Sequence, residues 1–369
     1  MKANSVLLAT ILLLYALTMP CTAAAQGSLE TDNVFLITLD GMRWQELFKG
    51  ADPALIEREE YVDDTEELKH RFWGSDEPAR RELLMPFLWE VIASRGQLYG
   101  NRDRGCRVNV TNHEWFSYPG YSEILTGFVD PGIDSNDKIP NPNRTVLEFI
   151  NKQPGFEGRV AAFGSWDVFP YIINEARSGI PVNAGFERAT GSDLSERELF
   201  LNELQQQIPS PWGTVRLDAF THHYALEYLK KHHPRVLYIA YGETDDFAHD
   251  GAYDSYLNSA RQTDAFIEDL WGFVQKDDTY RGKTTFIITT DHGRGTNPLD
   301  SWRNHGTDIE GADEIWVAII GPDAPALGEV DGSCSFFQNQ IASTVASFLG
   351  LEYEGDQPAG SVIPTATAH

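Results

Sequence analysis

The sequence predicts an α/β fold with a mostly parallel central sheet flanked by helices, and three observations point to it. Short apolar runs alternate with helix-like segments from residue 33 to residue 348. The runs are rich in Val, Ile and Thr and carry no polar alternation, as in strands buried on both faces. Three of them stop at acidic residues. In an open parallel sheet the carboxyl ends of the strands form the ligand crevice, so such stops gather acid groups along one edge.

The first strand is Asn33–Leu39 (NVFLITL), which stops at Asp40-Gly41. A helix follows at Pro86–Ser94, where apolar residues recur at helical spacing before Gly96. The run Arg159–Phe163 is a further strand, closed by Gly164-Ser165-Trp166-Asp167. Asp218–Lys231 reads as a helix with Asp218 as cap and Pro234 beyond its end. Arg235–Tyr241 is a strand that runs into Glu243, Asp245, Asp246 and His249. Tyr253–Val274 is a long amphipathic helix, with Leu257, Ala260, Ile267 and Leu270 near one side. Thr284–Thr290 is a strand stopping at Asp291-His292, and Ile315–Ile320 is another, closed by Gly321-Pro322. Asn339–Leu349 is the closing helix, and the last dozen residues read as frayed.

Residues 1–25 read as a cleaved export signal. Lys2 is the positive start, Val6–Leu17 the apolar stretch, and Ala23-Ala24-Ala25 the cleavage site before Gln26. About a dozen apolar residues fall short of the ~20 that span a bilayer, so no stable membrane anchor is expected. The expected location is periplasmic or secreted. Residues 26–369 then form one domain, with charged or loop-rich surface insertions near 51–81 and 180–212. The formal net charge of −26 excludes nucleic-acid backbones as partners. Cys106 and Cys334 remain after cleavage; in an exported chain they either pair or stay as buried thiols.

Six residues carry the metal chemistry. Asp245 and His249 are four apart, so one helical turn brings them to the same side. Asp291 and His292 adjoin at a strand end, His305 follows in NHGT, and Asp40 ends the first strand. Three Asp and three His suit two divalent ions with nitrogen and oxygen ligands, zinc first and manganese second. Ser117 in SYPGYSEILTG stands at the start of a predicted helix, with Pro119 in its first turn. A helix N-terminus and a nearby cation both favour an alkoxide there, so Ser117 is the candidate nucleophile. Trp166 either stacks on an aromatic leaving group or packs. His113, His222-His223 and His232-His233 are assigned structural or solvated roles.

Read in chain order, LITLDGMR (36–43), SYPGYSEILTG (117–127), GETDDFAHD (242–250), TTDHGRG (289–295) and NHGT (304–307) resemble the alkaline phosphatase superfamily. The resemblance is strongest to its nucleotide pyrophosphatase/phosphodiesterase-like branch. It implies an exported two-metal phosphoester hydrolase acting on a small-molecule phosphoester through a phosphoseryl intermediate. It implies one ion on Asp245, His249 and His305 and a second on Asp40, Asp291 and His292, with Ser117 bridging toward both. It places Asn136, nineteen residues past Ser117, on the phosphoryl oxygens. Members of this branch more often carry Thr at the position of Ser117.

Four other readings compete. Sulfatases of the superfamily place Arg where this chain has Tyr121. Phosphoglycerate mutases insert a second domain for which the interval from Ser117 to Asp245 is too short. A non-catalytic binding protein on the same fold predicts lost ligands, and none of the six is missing. A phosphomonoesterase calls for extra positive charge, often a Lys-x-Arg where this chain has Ser165-Trp166-Asp167. Arg43 and Lys138 are the remaining cations that could supply it.

Overall fold

Apolar runs that cannot face water build the middle of an eight-stranded sheet in a computed structural model describing residues 29–364 and 366. The segment 1–25 lies outside the described residues. The strands are β1 (Asn33–Leu39), β2 (Gln97–Tyr99), β3 (Cys106–Asn109), β4 (Val160–Gly164), β5 (Val182–Ala184) and β6 (Val236–Tyr241). They continue with β7 (Thr284–Thr289), β8 (Glu314–Ile315), β9 (Val317–Ile320), β10 (Gly328–Glu329) and β11 (Cys334–Phe337). The main sheet runs β10-β2-β9-β7-β1-β6-β4-β5, and β11-β3-β8 form a small second sheet. From β7 to β5 all neighbours are parallel, while β9 pairs antiparallel with both β7 and β2.

Alternation along β1 explains why every residue in it after Asn33 is apolar or Thr. Phe35, Ile37 and Leu39 enter one core, and Val34 and Leu36 enter the other. β6 divides in the same way, with Leu237, Ile239 and Tyr241 on one face and Val236, Tyr238 and Ala240 on the other. Each such side chain contributes about 1.5–3 kcal/mol by leaving water. The helices Tyr253–Val274 and Asp218–His232 cover the first face, and Ser117–Thr126 and Ile341–Phe348 cover the second.

Several expectations change. The Ile315–Ile320 run splits at Trp316: Ile315 belongs to the small sheet and Val317–Ile320 to the large one. Pro86–Ser94 is helical but wide-turned over Leu88–Ile92. The closing helix begins at Ile341, after a tight turn at Gln338–Gln340. Asp218 does not cap its own helix; its carboxylate accepts from Ser165 Oγ and from the amides of Gly242 and Glu243. The C-terminal segment is packed rather than frayed where it is described, with Ile363 and Ala366 buried. The charged stretch 51–81 carries two helices capped by Asp64 and Asp76, and it buries Leu55, Ile56, Leu68 and Phe72. The stretch 180–212 supplies edge strand β5 and the helix Glu196–Gln207, which opens with a Ser195/Glu198 capping box.

Cys106 and Cys334 are disulfide-bonded across β3 and β11, with Cα atoms 4.4 Å apart. Among the described residues no helix is long and apolar enough to cross a membrane.

Candidate active site

Parallel register brings the acidic strand ends together. Leu39 pairs with Tyr241 and Thr38 with Thr289, so Asp40, Gly242 and Thr290-Asp291 leave the same edge. The helix Glu243–Asp250 starts there and carries Asp245 and His249 on one side. Gly41 makes the tight exit from β1 with φ +58°, and its N–H donates to Asp291 Oδ1 at 3.0 Å. A Cβ on Gly41 would lie 2.8 Å from Asp245 Oδ1 and 2.9 Å from the Arg294 guanidinium. Only glycine satisfies both the conformation and the space.

All six expected ligands converge on one pocket. His292 Nε2 lies 3.4 Å from Asp40 Oδ1, 3.5 Å from Asp291 Oδ2 and 3.7 Å from Asp245 Oδ1. His305 Nε2 lies 3.6 Å from Asp245 Oδ1 and 2.9 Å from His249 Nε2, which is 3.4 Å from Asp245 Oδ2. Donor atoms of Asp40, Asp291 and His292 fall within 4.8 Å of one another, as do those of Asp245, His292 and His305. His292 is therefore shared between the two groups, and His249 stands at the exposed rim of the second.

The electrostatics are those of a cation site. Asp40 Oδ1 and Asp291 Oδ2 are buried and accept no hydrogen bond among the described residues. Burial, and then repulsion from Asp245, pushes the Asp40 carboxyl well above the usual range. Burial and then Asp40 do the same to Asp291. Asp245 goes the other way: burial opposes its charge, but the adjacent Arg294 guanidinium and His249 hold it well below the usual range. Burial and His292 hold His305 neutral. Orphaned carboxylate oxygens beside imidazole nitrogens fit divalent cations, which satisfy the oxygens and reverse the local field.

Ser117 sits against this cluster, buried, with Oγ 3.5 Å from His292 Nε2. It is the first residue of the helix Ser117–Thr126, one position later than a cap. The helix approaches closely at Gly120, where a Cβ would lie 2.5 Å from the Asp291 carbonyl oxygen. The free N–H groups expected at this helix start are fewer than the sequence implies. Pro119 has none, and the Tyr118 N–H donates to Asn136 Oδ1 at 3.0 Å. Asn136 is thus placed beside Ser117, the candidate nucleophile. Tyr121 OH donates to Asp40 Oδ2 at 2.8 Å.

The remaining candidates separate. Arg43 is buried and donates to Glu46 Oε2 at 2.8 Å and to the Gly295 carbonyl, which removes it as a phosphate-binding cation. Lys138 is ion-paired with Asp167 at 2.7 Å. Trp166 is half-buried and packs edge-on against Phe169. His222 is buried, stacked on Phe266 and bonded to Tyr241 and Asp269. Sequence reasoning missed Arg294. Its guanidinium donates to the Asp245 carboxylate, to the Gly41 carbonyl at 3.1 Å and to the Arg303 carbonyl at 2.7 Å. The available signal was its position two residues beyond His292, in the turn that follows β7.

Comparison with known proteins bears on the fold and the family. Solved structures with the same fold include the alkaline phosphatase PafA, at 11% identity and TM-score 0.59, covering 92% of this chain and 99% of that one. A putative sulfatase from Bacteroides thetaiotaomicron gives 12% identity and TM-score 0.57, covering 91% and 74%. The lipoteichoic acid synthase LtaP from Listeria monocytogenes gives 12% identity and TM-score 0.54, covering 91% and 76%. At these identities the likeness shows the fold alone, that of the alkaline phosphatase superfamily. No curated protein sequence matches the chain. The model of the type I phosphodiesterase / nucleotide pyrophosphatase family matches residues 48–313, and the fold adds Asp40 from just outside that span. The chain therefore belongs to the type I phosphodiesterase / nucleotide pyrophosphatase family, metal-dependent hydrolases of phosphoric ester bonds.

Proposed function

We propose that this chain is an exported phosphodiesterase or nucleotide pyrophosphatase that holds two divalent ions and reacts through Ser117. The observation that carries the reading is the pair of orphaned buried oxygens on Asp40 and Asp291, next to the Ser117 hydroxyl. Asp245, His249 and His305 would hold one ion, Asp40, Asp291 and His292 the other, and Ser117 would reach both. The nitrogen and oxygen donor set favours zinc. Bound ions at such a site supply Lewis-acid stabilisation of the attacking and leaving oxygens.

Ser117 Oγ attacks phosphorus, a new O–P bond forms as the bond to the leaving alkoxide breaks, and the serine proton passes through solvent to that alkoxide, which leaves as the alcohol. Water then attacks the phosphoseryl group and returns Ser117 with release of a phosphomonoester. Asn136, already held at the helix start, orients a phosphoryl oxygen, and Trp166 offers an aromatic face to the leaving group. Residues 26–369 act as one hydrolase domain, with 51–81 and 180–212 as insertions on it. The leader pattern and the Cys106–Cys334 disulfide support export, because disulfides persist in oxidising compartments.

The diester preference rests on charge. Arg43 is neutralised by Glu46 and Lys138 by Asp167, so neither is free to meet the extra charge of a monoester. Tyr121, bonded to Asp40, stands where a sulfatase carries Arg. Comparing kcat/KM for bis(4-nitrophenyl) phosphate, 4-nitrophenyl phosphate and 4-nitrophenyl sulfate at one pH tests the preference. The diester should be the best substrate. A monoester preference above about tenfold, roughly 1.4 kcal/mol, reassigns the chain to the phosphomonoesterases. In the same assay Ser117→Ala should lose on the order of a thousandfold, and near-native turnover would remove the covalent step.

A further inference from the structure

The segment immediately before Ser117 is locally strained. Trp115 adopts φ +50°, a left-handed conformation disfavoured for a bulky side chain by about 1 kcal/mol or more. Asn112 holds it there, because Asn112 Oδ1 accepts from the amides of Glu114 and Trp115, each at 3.0 Å. Asn112 is in turn held by Glu123, on the nucleophile helix. The Glu123 carboxylate is buried and accepts from four donors: Thr111 N (3.0 and 3.2 Å to its two oxygens), Thr111 Oγ1 (2.6 Å), Asn112 N (2.8 Å) and Asn112 Nδ2 (2.8 Å).

The product of this clasp is one carbonyl. The Trp115 carbonyl oxygen faces His305 Nδ1 at 3.2 Å. A carbonyl only accepts, so Nδ1 carries the proton and Nε2 presents its lone pair. Nε2 is the atom that points toward Asp245 and His249. A second strap, Thr307 Oγ1 to the His113 carbonyl at 2.8 Å, ties the same two loops.

We propose that Glu123 is a positioning residue for His305, acting through Asn112 and the Trp115 carbonyl to set the tautomer and aim of its imidazole. The proposal rests on the reading that His305 holds an ion. The same carboxylate belongs to the helix that starts at Ser117, so one buried acid couples the nucleophile to a metal ligand. Partners that orient a ligating histidine typically contribute 10–100-fold to metal affinity.

Metal-depleted wild type, Glu123→Gln and Asn112→Ala are titrated with zinc by calorimetry, and the His305 ring nitrogens are followed by 15N NMR. Glu123→Gln keeps the shape but turns an amide N–H toward the clasped donors. Asn112→Ala leaves the bonds from Thr111 and from the residue 112 amide to Glu123 in place and removes the side-chain bonds to Glu123, Glu114 and Trp115, so it tests the relay if Glu123→Gln fails to fold. Glu148→Gln, an equally buried acid remote from this loop, serves as control and should change neither affinity nor tautomer. The expected result is one zinc bound as in wild type, the other weakened at least tenfold, and the Nδ1–H form of His305 lost. Native affinities in both variants, or an unchanged His305 tautomer, overturn the proposal. A wild type that binds fewer than two zinc ions overturns the two-ion reading instead, and the tautomer measured without metal still decides the role of Glu123.

Discussion

Asp218 and Asp40 are both buried carboxylates at the carboxyl edge of the sheet, and they are satisfied in opposite ways. Asp218 Oδ1 accepts from Ser165 Oγ at 2.5 Å and from the Gly242 amide at 2.8 Å, and Oδ2 accepts from the Glu243 amide at 3.1 Å. Its pKa is pushed up only to about 6, because burial is countered by these donors. Asp40 has one oxygen on Tyr121, and among the described residues its other oxygen and Asp291 Oδ2 accept no hydrogen bond. A buried polar oxygen without a partner costs about 1–3 kcal/mol, and more when charged. The difference teaches that burial of an acid does not by itself mark a site. The Asp218 cluster is closed by N–H and O–H donors, whereas the Asp40–Asp291 cluster lacks such donors among the described residues and is left open to the cation proposed for it.

Substituting the bare acid gives the largest expected effect. Asp291→Asn keeps the volume and the oxygen that Gly41 N–H reaches, and removes the charge. Turnover of the diester should fall on the order of a thousandfold, about 4 kcal/mol, with loss of one bound ion. The midpoint of unfolding of the metal-depleted protein should stay level or rise, since repulsion with Asp40 is relieved. A stability loss with both ions retained would break the contrast between the two clusters.

Asp218→Ala tests the other half. It strands the amides of Gly242 and Glu243 and leaves the Ser165 hydroxyl with Thr221 alone, at a cost of about 3 kcal/mol in urea unfolding. Those amides start the helix that carries Asp245 and His249, so some loss of rate is expected. Both ions should still bind. If Asp218→Ala expels an ion but leaves stability intact, the closed cluster belongs to the site after all.

What the sequence made legible follows from the range of the interactions. The buried strands are visible because an unbroken apolar run has few alternatives. Asp245 and His249 are visible because i,i+4 spacing is local, and Asp291-His292 because they adjoin. Trp316 breaks its run where the chain passes from one sheet to the other, and apolar pattern does not encode which sheet edge is free. The helix beginning at Pro86 is capped from a distant helix: Asp264 accepts the amides of Phe87 and Leu88 at 2.8 and 2.9 Å. Arg294 on Asp245, Glu46 on Arg43 and Tyr121 on Asp40 are pairings of charge with charge or hydroxyl. Residue type shows that such groups need partners, and only the fold shows which.

The smallest expected effect concerns a buried titratable group that is closed like Asp218 and has no part in the metal cluster. His222 lies 1% exposed, its ring stacked on Phe266 with centroids 4.3 Å apart. Its nitrogens meet Tyr241 OH and Asp269 Oδ2, each at 3.1 Å, while His223 and Arg197 add unfavourable charge. Burial first, then His223, lowers its pKa from 6.5 to about 4, against the pull of Asp269. The unfolded chain therefore binds this proton before the folded one does. Stability from the neutral ring is full above pH 6.5 and is lost as pH falls through the window from 6.5 to about 4. Between pH 7 and pH 5 the loss should be roughly 2 kcal/mol at most. His222→Gln removes the titration, so wild type should lose about that much more than the variant over the same interval in urea unfolding. Carrying the ions in both proteins cancels the acid sensitivity of the metal ligands from the difference. Parallel pH profiles would show that His222 already exchanges its proton freely, and that its partners do not close it as the donors around Asp218 close that carboxylate.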